Sequence, residues 1–250
     1  MCTVTIVPTP APHAGQSAGW RMACSRDESH GRAPALPPTQ TVIDGVGTLM
    51  PIDPASSGTW VAVNSVGLAI TLLNYNLPDP PAERDLSRGL VIPCLIGSAS
   101  ISEALLRCEK IERQRMMPFR LVFCDGERVA LWRSTEPPDA MQIASFEGRP
   151  FFFTSSGLGD HLVEQPRRDV FASWFTEPVK DWPQRQDALH RHRWPDRPHL
   201  SICMDRDDAR TVSYTTLTVG AEQIEMSYHP DRPDRPAQDV KRSLNRLVPR

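Results

Sequence analysis

The chain has 250 residues, a net charge of −2, and 40% hydrophobic and 23% charged residues. This composition is that of a globular protein, and it lacks the basic excess that a nucleic-acid-binding face requires. No apolar run reaches the roughly 18 residues of a membrane helix, and residues 1–12 lack the basic and apolar regions of a signal peptide. We therefore expect a cytoplasmic protein without a membrane span or a nucleic-acid partner.

The first half of the chain has the pattern of hairpins followed by helices. The predicted strands are apolar or β-branched runs bounded by turn residues, and the predicted helices have a period near 3.6. The strands span residues 2–7, 20–25, 59–64 and 67–74, and the helices span residues 85–96 and 100–113. Ser100 and Glu103 resemble a capping box. The proline-rich stretch 32–39 is predicted to be a loop.

The second half begins with two more predicted hairpins. Residues 120–124 and 128–132 flank Asp125-Gly126-Glu127, and residues 141–146 and 149–154 flank Glu147-Gly148. Gly after an acidic residue is a strong turn signal between two apolar runs. The remaining prediction is a helix at 169–175, a loop at 181–198, and strands at 199–204, 211–219 and 223–228.

These elements predict an α+β fold. Strands and helices do not alternate regularly, which argues against a doubly wound parallel sheet. Two mostly antiparallel sheets packed together, with helices outside, would bury the many apolar strands. We expect one domain over residues 1–228, followed by a polar tail over residues 229–250 with a short helix around 239–247.

The cysteines are the first candidates for chemistry. None of the six belongs to a Cys-x-x-Cys pair or to a Cys/His set with zinc spacing, so neither a metal nor another cofactor is predicted. Five lie inside apolar runs and are expected to be small buried thiols: Cys24, Cys94, Cys108, Cys124 and Cys203. Cys2 differs because of its place in the chain.

Removal of Met1 would leave Cys2 with a thiol and a free α-amine. The amine has a pKa of about 7.7–8.0, so it can accept the thiol proton near neutral pH. An N-terminal nucleophile therefore carries its own base. The alternative is an ordinary cysteine near a chain terminus.

Arg26 and Asp27 end the second predicted strand. In a hairpin this end lies beside the start of the first strand, so both side chains are expected near Cys2. A carboxylate there can hold the α-amine, and a guanidinium can lower the pKa of the thiol. The alternative is a solvated charge cluster at a strand end.

Five motifs occur in a defined order: Met1-Cys2, Arg26-Asp27-Glu28, Ser57-Gly58-Thr59-Trp60, Leu73-Asn74-Tyr75 and Ser87-Arg88-Gly89. The series resembles the NRDE family, which includes the transport-and-Golgi-organization type 2 proteins. The resemblance covers residues 1–96, with fainter matches at 153–160 and 211–228. The family motif has Asn where this chain has Ser25. The resemblance implies the N-terminal-nucleophile (Ntn) hydrolase fold, a four-layer αββα sandwich with a cysteine as first mature residue.

The layout is also similar to that of Ntn enzymes that cleave bile-salt, penicillin-V and N-acyl amides. That resemblance implies that a backbone N–H around Asn74 or Tyr75 helps to form an oxyanion hole. Ser155 stands where those enzymes have a second oxyanion-binding Asn. Arg210 matches their late arginine, although Arg206 lies nearby in the sequence.

The resemblances imply a hydrolase of a non-peptide, acylated or linear amide that uses Cys2 as nucleophile. The alternative is a non-catalytic protein that binds a lipid or haem-like ligand on the same scaffold, because Ser155 suits an incomplete oxyanion hole. His190 and His192 would then be haem contacts, although their charged surroundings favour an exposed loop. The sequence leaves the substrate and the oligomeric state open.

Overall fold

The computed structural model describes residues 2–11, 18–79, 82, 84–176 and 181–247. Within these ranges the chain forms thirteen strands and four helices. In chain order the strands are β1 (Cys2–Thr9), β2 (Gly19–Ser29), β3 (Leu36–Ile43), β4 (Val46–Ile52), β5 (Val61–Asn64), β6 (Ala69–Asn74), β7 (Phe119–Cys124), β8 (Arg128–Arg133), β9 (Gln142–Ser145), β10 (Phe151–Thr154), β11 (Ala209–Val219), β12 (Gln223–His229) and β13 (Val240–Asn245). The helices are α1 (Val91–Leu95), α2 (Ile101–Cys108), α3 (Asp160–Trp174) and α4 (Trp182–His190).

The strands form two antiparallel sheets. One sheet has six strands in the order β10-β1-β2-β11-β12-β13, and the other has seven in the order β3-β4-β5-β6-β7-β8-β9. The αββα layering follows from three apolar cores. One core fills the space between the sheets, a second lies under α1 and α2, and a third lies under α3 and α4. The predicted α+β sandwich is therefore confirmed.

The β1–β2 hairpin places the start of β1 beside the end of β2. The register runs without interruption from Cys2 opposite Arg26 to Thr9 opposite Gly19. Alternate residues point to opposite faces of a strand, so β1 sends one row of side chains into the core between the sheets and the other row toward α3 and α4. The start of β1 is therefore enclosed by β2 and β10.

The predicted hairpin around Glu147-Gly148 is wrong. Both residues adopt positive φ, at 30° and 67°, so the chain turns there. However, β9 is an edge of the seven-stranded sheet and β10 pairs with β1 in the other sheet. The turn carries the chain from one sheet to the other because the aromatic residues after it pack against both β1 and α3.

Other predictions in the second half also need correction. The segment 181–198 is not a loop throughout, since α4 occupies its first half. Residues 199–204 form a 3₁₀ turn and bends rather than a strand. The expected helix around 239–247 is wrong, because this part of the predicted polar tail is the edge strand β13, which pairs with β12.

Two predictions in the first half were also inexact. The segment 85–96 is helical only in α1, after a 3₁₀ turn over Arg88–Leu90. The proline-rich stretch 32–39 runs into β3. The capping box is confirmed, because Ser100 Oγ accepts from Glu103 N and Glu103 Oε2 accepts from Ala99 N. Within the described ranges, no helix combines the length and apolar character of a membrane span.

Candidate active site

Cys2, the first residue of β1, is held from both sides. It lies opposite Arg26 in the register with β2. On the other side, its carbonyl oxygen accepts a hydrogen bond of 2.9 Å from the backbone N–H of Ser155, just after β10. The backbone nitrogen of Cys2 donates to Ser155 Oγ over 3.1 Å. Removal of Met1 would convert this nitrogen into the α-amine, so Ser155 contacts the group that the sequence predicts to be the base.

The thiol of Cys2 lies between the sheets, and the residue is only 4% exposed. Cys24 is the register partner of Val4, and its side chain lies on the same face of the sheet as that of Cys2. A hydrogen bond with the Cys24 thiol is the main cause that lowers the pKa of Cys2, against the effect of burial, and the charge of Arg26 is a smaller cause in the same direction. The same contact raises the pKa of Cys24. Thr71 Oγ1 lies 3.9 Å from Cys24 Sγ and extends the chain of polar groups.

Arg26 ties β2 to the opposite sheet. Its guanidinium lies over the Trp60 ring, 4.4 Å from the centroid. Its Nη2 donates to Asp53 Oδ2 over 2.8 Å and to Glu28 Oε1 over 3.3 Å. Asp53 Oδ2 also accepts from Arg32 Nη2 over 2.6 Å. Trp60 therefore supports a charged group of the site as well as the core.

Asp27 lies on the face of β2 opposite to Arg26. Its Oδ1 accepts a hydrogen bond of 2.7 Å from Thr211 Oγ1. Burial raises the pKa of Asp27, whereas the charge of Arg167 and the hydrogen bond from Thr211 lower it. The negative charge of Asp27 raises the pKa of Cys2, which is the effect of a neighbouring carboxylate on a thiolate.

Asn74 and Tyr75 direct their backbone N–H groups to opposite sides of β6. The Tyr75 N–H donates to Pro118 O over 3.0 Å. Phe119 is the register partner of Asn74, but its N–H donates to Ser134 Oγ and its carbonyl oxygen accepts from the Ser134 N–H. Because successive backbone groups alternate in direction, the Asn74 N–H points away from β7, and it has no hydrogen-bond partner among the described residues. Asn74, and not Tyr75, therefore offers a free donor at this strand end.

Arg210 lies opposite Glu28 in the β2–β11 register and lines a pocket of about 210 Å³ with Arg26 and Arg32, but it does not line the cleft that borders Asp27. Its Nη1 pairs with Asp231 Oδ1 over 3.2 Å. The side chain of Arg206, only 8% exposed, lies closer to the site, since its charge acts on Asp27. Of the two arginines considered from the sequence, the structure thus brings Arg206 to the site.

A cleft of about 590 Å³, called the central cleft below, opens beside these groups. Its walls are mostly polar and charged. They comprise Asp27, Glu28, Ser29, Arg32, Asn74, Leu86, Ser87, Arg88, Met117, Gly157, Arg206, Asp208 and Ala209. A narrower pocket of about 90 Å³ shares Asn74 and Arg88 and extends to Arg26 and Asp53. Cys2 lines neither of these spaces and lies beneath the strand ends that border them.

Arg88 was not assigned a role from the sequence. Its position depends on a close backbone approach between Gly58 and Gly89, where a Cβ atom on Gly58 would lie 2.4 Å from the Gly89 carbonyl carbon. Thr59 N also donates to Gly89 O over 3.0 Å. Gly58 and Gly89 belong to two of the five sequence motifs, and these glycines were the signal from which the position of Arg88 could have been predicted. Asp53 precedes a proline in a turn and gave no such signal.

A buried polar layer behind β1 was also missed. His190 Nδ1 lies 2.7 Å from Ser25 Oγ, and its Nε2 lies 2.8 Å from Thr5 Oγ1. Burial lowers the pKa of His190 to about 3, so the imidazole is neutral. The expectation of an exposed loop at this residue is wrong, because α4 packs it against β1 and β2. Both ring nitrogens are used, which leaves neither for a haem iron.

The cysteine thiols are all free, and five of the six are buried. The expectation of a buried thiol is wrong for Cys94, which is exposed because α1 turns Val91, Ile92 and Leu95 to the core instead. Within the described part of the chain, no group of three or more His, Cys, Asp or Glu residues could hold a metal ion.

The sequence profile of the Transport and Golgi organisation 2 family matches residues 1–189. The chain belongs to this family, and the resemblance drawn from the five motifs is confirmed. A comparison with curated protein sequences gives no match.

Solved structures confirm the Ntn-hydrolase fold. Penicillin V acylase from Agrobacterium tumefaciens superposes with a TM-score of 0.51 at 14% identity, over 90% of this chain and 82% of the acylase. The Caenorhabditis elegans ortholog of N-acylethanolamine-hydrolyzing acid amidase gives a TM-score of 0.51 at 13% identity, over 86% of this chain and 92% of the amidase. At such identities the similarity concerns the fold.

Proposed function

We propose that this protein is an Ntn hydrolase that cleaves the C–N bond of a non-peptide, acylated or linear amide, with Cys2 as nucleophile. The observation that carries the proposal is the pair of hydrogen bonds between Cys2 and Ser155, which holds the future α-amine beside its own thiol. Two fold relatives are named for their action on amides, as an acylase and an acid amidase.

Removal of Met1 starts the proposed reaction. The free amine takes the proton of the Cys2 thiol, and the thiolate attacks the carbonyl carbon of the amide. As the C–S bond forms, the carbonyl π electrons move to oxygen, and the Asn74 N–H donates to the oxyanion. When the tetrahedral intermediate collapses, the C–N bond breaks and the leaving amine takes the proton from the ammonium group.

Water completes the proposed cycle. The α-amine removes a proton from a water molecule, which attacks the thioester and releases a carboxylic acid and the Cys2 thiol. Ser155 would orient the amine through its hydroxyl, and Asp27 would stabilise the ammonium form electrostatically. Arg26 and Cys24 would favour the thiolate, in keeping with their effects on the pKa of Cys2.

Substitution of Cys2 tests the proposal. A panel of N-acyl amides with different acyl chains and amines is incubated with the mature protein and with Cys2→Ala, and the carboxylic acid product is measured. We expect turnover by the wild type and none by Cys2→Ala. Cys94→Ala, which removes an exposed thiol, is the matched control and should retain full turnover. Equal turnover by Cys2→Ala would exclude Cys2 as the nucleophile.

The burial of Cys2 favours one second candidate, a protein that binds a lipid-like ligand without chemistry. A thiol beneath the cleft wall is poorly placed to meet a carbonyl unless the entrance rearranges. Fluorescent fatty-acid displacement distinguishes the two functions. Ligand binding that is identical in wild type and Cys2→Ala, with no product from any amide, would support the binder.

A further inference from the structure

Arg88 projects into the central cleft from a rigid support. The contact between Gly58 and Gly89 holds the 3₁₀ turn Arg88–Leu90 against the start of β5. Arg88 Nη1 donates to Pro118 O over 3.2 Å, its one hydrogen bond to the described residues. Arg88 lines both the central cleft and the narrower pocket beside Asn74.

The carboxylates of the two spaces already have cationic or hydroxyl partners. Asp27 accepts from Thr211, Glu28 pairs with Arg26, Asp53 pairs with Arg26 and Arg32, and Asp208 pairs with Arg206. Arg88, in contrast, forms no ion pair with any carboxylate of the described residues. The negative charges that act on it are those of Glu28 and Cys2. Among the described residues, the cleft therefore has a guanidinium in its lining that no carboxylate neutralises through an ion pair.

A second arginine supports the same chemistry. Arg206 Nη1 is buried and has no hydrogen-bond partner, although the rest of its guanidinium pairs with Asp208. Arg206 lines the same cleft as Arg88. Guanidinium groups bind carboxylates through two parallel N–H donors, and a partly buried site strengthens such pairs.

We infer that the substrate of this site carries a carboxylate close to the scissile amide, and that Arg88, with Arg206, binds it. This inference rests on the proposed function, since it assumes that the substrate reaches Cys2 through the central cleft. Arg88 is then a residue that determines specificity, and a neutral amide of the same length is the poorer substrate.

Two alkylating reagents of nearly equal size test the inference without knowledge of the substrate. Iodoacetate carries a carboxylate and iodoacetamide a neutral amide, and both form a C–S bond with a thiolate as iodide leaves. The ratio of the two rates at one thiol cancels the fraction of thiolate, so it reports the local preference for an anion. Cys94 is exposed and provides the reference ratio within the same chain.

The rates at Cys2 and Cys94 are measured by peptide mass spectrometry on the mature protein. We expect the iodoacetate/iodoacetamide ratio at Cys2 to exceed that at Cys94 by about tenfold, because a guanidinium without a carboxylate partner attracts the carboxylate of iodoacetate. Equal ratios would overturn the inference and leave the proposed function standing. Labelling of Cys94 by both reagents, with none at Cys2, would contradict the proposed function and the inference together.

Three variants identify the cation. Arg88→Gln should lower the ratio at Cys2 to near the Cys94 value, whereas Arg88→Lys, which keeps the charge, should retain most of it. Arg242→Gln removes an exposed arginine of β13 and is the matched control. Thermal unfolding is measured for each variant. An unchanged ratio in folded Arg88→Gln would overturn the assignment of Arg88.

Discussion

Ser155 and Cys2 exchange two hydrogen bonds, one from the Ser155 N–H to the Cys2 carbonyl and one from the Cys2 nitrogen to the Ser155 hydroxyl. The sequence comparison placed Ser155 where related enzymes have an oxyanion-binding Asn. In this structure its hydroxyl instead faces the nitrogen that becomes the α-amine. The proposed oxyanion donor is then the free N–H of Asn74, on the other sheet.

Ser155→Ala tests this relationship. Loss of the hydroxyl leaves the amine of Cys2 without its acceptor, so we expect kcat to fall about 100-fold through misplacement of the base, with little change in KM. Ser155→Thr keeps a hydroxyl at the same carbon and should retain most of kcat. Steady-state kinetics on an amide substrate provide both values. Full activity of Ser155→Ala would show that another group orients the amine.

Cys24→Ala tests the second thiol. The pKa of Cys2 is lowered mainly by its hydrogen bond with Cys24, so removal of the Cys24 thiol should raise the pKa of Cys2. Alkylation of Cys2 should then be slower at pH values below that pKa. The rate of Cys2 alkylation as a function of pH measures the shift. Cys108→Ala, which removes a buried thiol at the end of α2, is the control and should leave the curve unchanged. The same pKa in Cys24→Ala and the wild type would contradict the proposed contact.

Arg26→Met tests the buried ion pair with Asp53. Both residues are buried. Arg26→Met removes one of the two arginines that pair with Asp53 and leaves Arg32 as its partner, so we expect the free energy of unfolding to fall by about 1.5–3 kcal/mol, the contribution of a hydrogen bond to a charged group. Denaturant titration measures the change. Because the residues share one contact, the double variant Arg26→Met/Asp53→Asn should lose less than the sum of the single variants. Strict additivity would argue against the pairing.

His190 makes stability depend on pH. Its folded-state pKa of about 3 lies below the ordinary value of 6.5, because burial opposes the charged form. As the pH falls below about 6.5, the unfolded chain therefore binds a proton that the folded chain does not, and the free energy of unfolding falls by up to about 1.4 kcal/mol per pH unit. This loss continues until the pH approaches the folded-state pKa.

His190→Gln provides the comparison for that slope. The variant cannot take up the proton, so its unfolding free energy should change less between pH 6.5 and pH 4 than that of the wild type. Asp187 and Arg21, which act on His190 electrostatically, are present in both proteins. Denaturant titrations at several pH values measure the difference. Parallel curves would mean that His190 is not the titrating group.

The elements predicted well are those whose signal is local. Consecutive apolar runs predicted the β1–β2 and β7–β8 hairpins, since the two strands of each hairpin are neighbours in the sequence. The turn at Glu147-Gly148 has the same local signature but joins two sheets, and only long-range packing decides that outcome. The helix α4 was missed because Pro183 breaks the pattern, although proline is well tolerated in the first turn of a helix. The edge strand β13 carries the adjacent charges Lys241 and Arg242, as exposed edges often do, and so resembled a polar tail.

The part of the site that could be predicted from the sequence is the part that lies at the open end of a hairpin, where the two strand ends must be neighbours. Cys2, Arg26 and Asp27 follow from one register, and Asn74 from a strand end. Arg88 and Arg206 reach the cleft through loops, whose course depends on contacts such as Gly58 with Gly89. The hydroxyl of Ser155 could not be assigned to the amine from sequence, because its partner lies 153 residues away.

The most direct test is the intact mass and peptide map of the protein after brief exposure to an activated acyl ester. We expect a chain that lacks Met1 and carries one acyl group as a thioester on Cys2, which hydroxylamine removes and which Cys2→Ala does not form. A chain that retains Met1, or an acyl group on any other residue, would contradict this expectation.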